Sequence, residues 1–137
     1  MYEQYFINEK HKDRFFKALK DAEGKFAQDV YWSSAIYLVT SMDTTETHMS
    51  EIFDFKNQLF LIDEVLDSSW ITMGSRIIIS IAANLFNGYD GISYDGIVQN
   101  TRTSYVDLVT SLGKDYRYAT YIAGEIRAGA IKIDVLI

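Results

Sequence analysis

His48, Glu51 and Asp54 follow one another at intervals of three residues. On a helix this spacing sets the first two on one face with the third just beyond, where an imidazole and two carboxylates could hold a metal or move a proton. One histidine with two carboxylates lacks the second histidine or the facial arrangement that makes a metal site persuasive. The spacing therefore reads first as a solvated helix surface, and a small metal-dependent hydrolase is kept as an alternative. His11 falls on the apolar stripe of the first helical stretch and reads as a satisfied, partly buried histidine rather than a base. There is no Gly-x-Ser-x-Gly elbow, no phosphate-binding lysine loop and no dinucleotide fingerprint. With zero cysteines the chain has no thiolate ligand, thiol nucleophile or disulfide. The sequence assigns no catalytic residue, metal ligand or cofactor.

Charge points instead toward a partner. The chain has 13 Lys+Arg against 19 Asp+Glu, a net charge of -6, which disfavours direct binding to nucleic acid or to an anionic membrane. The deficit lies between residues 29 and 70, where Lys56 alone faces Asp29, Asp43, Glu46, Glu51, Asp54, Asp63, Glu64 and Asp67. Gathered on one surface, Asp43, Glu46, Glu51, Asp54, Asp63 and Glu64 would suit a basic host protein, such as a nucleic-acid-binding defence effector. Dispersed, they are helix caps and ordinary solvated charges. Tyr116, Arg117 and Tyr118, with Tyr121 and Arg127 beyond them, read either as an interface patch or as half-buried core. Tyr89 and Tyr94, between Gly88, Gly91 and Gly96, are anchors if that segment is a binding loop and incidental if it is a plain connector.

These side chains need elements to place them. The chain has 137 residues, 48% hydrophobic and 15% aromatic, which fits one domain over residues 1–137 with a substantial core. Asn8 caps a first helix carrying His11, Phe15, Ala18, Leu19, Ala22 and Phe26 at helical spacing, with Gly24 where it could end, and Asp29 caps a second. Asp43-Thr44-Thr45-Glu46 has the form of a capping box for a short helix ending at Ile52 or Phe53. Residues 53–62 read as a small hairpin, and Ser68, Ser69 or Thr72 caps a long helix running to about Asn87 with almost no wet face. Two more helices are expected, one from Thr103 to Gly113 and one from Tyr116 to Ile126, and residues 130–137 alternate like a strand. The expected fold is mainly α (α+β), a single-domain helical bundle around a buried helix at about 72–87, with a small β element near 53–62 and 130–137. The longest apolar run, Ile77 to Phe86, is far below the ~20 residues that span a bilayer. The N-terminus carries no basic-then-apolar leader pattern, so the expected location is the cytoplasm of a host bacterial cell.

Phe6-Ile7-Asn8-Glu9-Lys10-His11, Asp29-Val30-Tyr31, Ile52-Phe53-Asp54-Phe55-Lys56, Ser69-Trp70, Gly74-Ser75-Arg76 and Ala82-Ala83-Asn84-Leu85-Phe86-Asn87 resemble a domain-of-unknown-function family of small proteins from Gram-positive bacteria, their phages and mobile elements. The resemblance spans about residues 5–87, a family-like helical core, and leaves 88–137 as a divergent C-terminal part. It implies no activity. By analogy of gene context it implies a non-enzymatic interaction protein of a phage or mobile element, most concretely an anti-CRISPR-like inhibitor of host defence that binds a basic effector through an acidic, Tyr-bearing surface. A homodimer is a further expectation, and a homo-oligomeric assembly protein pairing through its C-terminal strand is the alternative beside the hydrolase.

Overall fold

The computed structural model describes residues 5–26, 28–88, 92–94, 97–99 and 109–136. Helix α1 (Glu9–Asp21) begins where the Asn8 side chain accepts the His11 N–H at 2.8 Å, filling one of the donors a helix start leaves open. Helix α2 (Val30–Val39) is capped in the same way by Asp29, whose carboxylate accepts from the N–H groups of Tyr31 and Trp32. Every side chain from Trp32 to Val39 is buried, and only the first turn of α2, at Tyr31, reaches solvent. A 3₁₀ turn at Asp43–Thr45 leads into α3 (Met49–Ile52), a hairpin of β1 (Phe53–Asp54) with β2 (Leu59–Phe60), and α4 (Ile62–Leu66). The hairpin pairs Phe53 with Phe60 and Asp54 with Leu59.

Helix α5 (Met73–Asn87) opens on a reciprocal box: the Thr72 hydroxyl accepts the Ser75 N–H at 3.1 Å, and the Ser75 hydroxyl accepts the Thr72 N–H at 2.8 Å. Its residues Ile78 to Ala83 are buried, and it packs on α2. Strands β3 (Ile92–Tyr94) and β4 (Ile97–Gln99) form a second antiparallel hairpin, followed by α6 (Lys114–Arg127) and α7 (Ile133–Leu136). Helix α6 packs on both α2 and α5, so α6 belongs to the same core as the helices before residue 88. Two aromatic groups fill that core. Phe6 and Tyr37 flank His11 at the α1–α2 contact, with Phe15 and Phe16 packed on Phe6, and Phe26, Trp32, Phe53, Phe60 and Phe86 join the first hairpin to α2 and α5.

The mainly α architecture, the buried helix at 72–87 and the β element at 53–62 are as the sequence predicts. The β element at 130–137 is not: α7 occupies that segment. Gly129 turns the chain at φ +78, and the three-residue interval between Ile133 and Leu136 buries both on one side of a helical turn. Among the described residues β1 pairs with β2 and β3 with β4, and neither hairpin takes up a strand from the C-terminal segment. The Gly-rich stretch read as a connector holds the β3–β4 hairpin instead, and most of the helix expected from Thr103 lies outside the described residues. No helix among the described residues is long and apolar enough to cross a membrane.

Candidate functional site

The polar chemistry of α1 is directed inward. His11 is fully buried: its Nε2–H donates to the Tyr37 carbonyl at 2.8 Å, and its Nδ1 accepts from the Ile7 N–H at 3.3 Å. Burial, reinforced by the neighbouring Arg14 charge and opposed by the bond to Tyr37, pulls its pKa down to about 4. One helical turn on, Arg14 is 7% exposed and spends its guanidinium on the end of α2, donating from Nε to the Thr40 carbonyl (2.7 Å) and from Nη2 to the Ser41 carbonyl (3.3 Å). Its Nη1 pairs with Asp43 at 2.9 Å. A cation at the C-terminal end of α2 also complements the helix dipole. This pairing explains why the expected Asp43 capping box does not form: the Asp43 carboxylate faces Arg14, and the 3₁₀ turn has no side-chain cap.

The predicted acidic surface is divided by these contacts. Asp43 and Glu46 border a groove with Asp13 and with the cations Lys10, Arg14 and Lys17, a mixture of signs. Glu51 is hydrogen-bonded to His48 Nδ1, and the His48 ring stacks on Trp70 with centroids 4.1 Å apart and planes 7° from parallel. Asp54 accepts both the backbone and the side-chain N–H of Asn57, which closes the β1–β2 turn and holds the carboxyl below its ordinary pKa. His48, Glu51 and Asp54 therefore do not converge, and among the described residues no three His, Asp or Glu side chains gather where they could hold a metal ion. Asp63 and Glu64 lie exposed in the first turn of α4.

Two predicted residues do come together. Asp43 and Tyr116 line one open groove of about 410 Å³ between the 3₁₀ turn, the start of α5 and the segment leading into α6. Thr44, Thr72, Ser111 and the apolar Met42, Ile78 and Leu112 complete much of its wall. Tyr116 is half-buried there, and burial, then the Asp43 carboxylate, raise its phenol pKa. Met73, between lining residues Thr72 and Gly74, is 73% exposed. Arg117 is exposed on the other side of α6. Tyr118 is partly buried, its phenol raised by desolvation and by the nearby phenols of Tyr5 and Tyr121. Tyr94 lies on β3, and Tyr89 lies outside the described residues. The sequence reading missed Arg14 and Met73. Arg14 stands three residues after His11 on the same helix face, which was the available signal.

Compared with known proteins, the chain has no match among curated proteins and none among solved structures. A family of unknown function matches it over residues 1–131. The family pattern thus continues through both hairpins and α6, which corrects the expectation that it stops near residue 87 and that the C-terminal third is an addition. The chain belongs to this family of unknown function, DUF6075.

Proposed function

We propose that the protein works as an interaction protein that receives a partner protein at the groove between the 3₁₀ turn, α5 and α6. The observation that carries this reading is the meeting of Asp43 and Tyr116, from opposite ends of the chain, in one open groove beside an unusually exposed methionine. Tyrosine supplies contact area with a directed hydroxyl, and methionine adapts its shape to what it meets. The net charge of -6 favours a basic partner, and an effector of host defence is the candidate to test first. That narrower identity, and an origin in a phage or mobile element, have only the sequence resemblance behind them.

The test is affinity capture from a nuclease-treated lysate of the source cells, using the tagged chain beside its Met73→Lys and Thr44→Arg variants. Both positions are exposed, so the variants should fold like the parent. The expected result is a stoichiometric basic protein held by the parent and lost by both variants at unchanged melting temperature. Capture that ignores both substitutions would contradict the groove as the binding surface.

A further inference from the structure

The outer face of α6 carries a row that the chain itself does not use. Tyr121 is 61% exposed, with Arg117 one turn before it and Glu125 one turn after it. Arg117 is exposed and Glu125 half-buried, and among the described residues neither joins an ion pair. They are eight residues apart, roughly 12 Å along the axis, too far to pair with each other. Gly124 lies beside the row in the last turn of the helix, although glycine is a poor helix former. A Cβ added there would meet nothing within 4 Å, so no contact inside the chain requires glycine at this position. An open gap of this kind suits the close approach of something from outside.

The row is its own complement. Turning a second α6 through a half-circle about Tyr121 exchanges the places of Arg117 and Glu125. At a crossing angle of roughly -50°, where rows of i±4 residues on two helices align, Arg117 of each copy meets Glu125 of the other. The Tyr121 rings then meet at the axis, with the gap at Gly124 beside them. We propose that the protein self-associates through this face, two copies packing α6 antiparallel about a two-fold axis at Tyr121. Unlike the expected pairing of C-terminal strands, this arrangement uses an element the fold presents ready-made. It is independent of the groove, since Tyr116 stands five residues from Tyr121 and about 140° around the helix.

Charge exchange tests it. Sedimentation equilibrium of the full chain over a concentration series would be compared for the parent, Arg117→Glu, Glu125→Arg and the double variant. The parent should dimerise, and each single reversal should weaken the dimer by about tenfold or more. The double reversal should restore it to within about threefold of the parent, because the pairs re-form with opposite sign. Tyr121→Glu, at an exposed position, should be monomeric with the parent's melting temperature. A parent that is monomeric at its highest soluble concentration would overturn the proposal, as would single reversals that dimerise like the parent or a double reversal that fails to recover.

Discussion

The joint between α1 and α2 and the outer face of α6 both carry a basic residue near an aromatic side chain, and the two regions use them in opposite ways. At the joint, Arg14 and His11 are buried and their nitrogens are committed to carbonyls, a carboxylate and a backbone N–H of the same chain. On α6, Arg117 and Tyr121 stand in solvent. The chemistry of the joint is consumed in holding two helices together, whereas that of α6 is left for a neighbour. Residue type alone does not separate these fates; the surroundings do.

Removing the arginines should expose the contrast most strongly. Arg14→Met leaves the buried carbonyls of Thr40 and Ser41 without their donor and Asp43 without its cation, and should cost about 4 kcal/mol in urea unfolding. Arg117→Met in the monomer should change stability by less than about 0.5 kcal/mol. Equal losses at the two positions would erase the distinction.

Acid should act on the joint next. The unfolded chain binds a proton at His11 near pH 6.5, but the folded one holds out to about pH 4. Stability from this residue is complete above pH 6.5 and falls as the pH drops toward 4, by about 3 kcal/mol in all. The measurement is the difference between the pH profiles of the parent and His11→Gln, which isolates this residue. The variant should lose less stability over this window, and identical pH profiles would show that His11 is not held neutral by its cage.

Much of the fold was legible because it rests on local signals. Asn8, Asp29 and Thr72 are cap residues placed just before apolar periodicity, and each caps the helix it announces. The aromatic–polar alternation at 53–60 became a hairpin in which the first and last of its three phenylalanines, Phe53 and Phe60, pair across the strands. Where local and long-range signals compete, the sequence misleads. Asp43 has the right neighbours for a cap and is taken by Arg14, 29 positions away. The apolar alternation at the C-terminus fits a strand but is equally compatible with a single helical turn, and the turn is what buries Ile133 and Leu136 together. The acidic run shows the same limit at the level of the site. Its excess charge is plain in the sequence, but the long-range pairing of Asp43 with Arg14 is not, whereas Glu51 meets His48 and Asp54 meets Asn57 only three residues away. The meeting of Asp43 with Tyr116 was likewise unreadable, because 72 residues of chain separate the two positions.

The claim that α6 leaves its outer face for a second copy is tested most directly by a single cysteine, since the natural chain has none. In Tyr121→Cys the two-fold axis brings the two thiols together, within the Cα separation of roughly 4.4–6.8 Å that a disulfide needs. Mild oxidation should convert this variant to a covalent dimer far faster than a control with the same substitution at exposed Leu59. Crosslinking at Tyr121 no faster than at Leu59 would contradict the account.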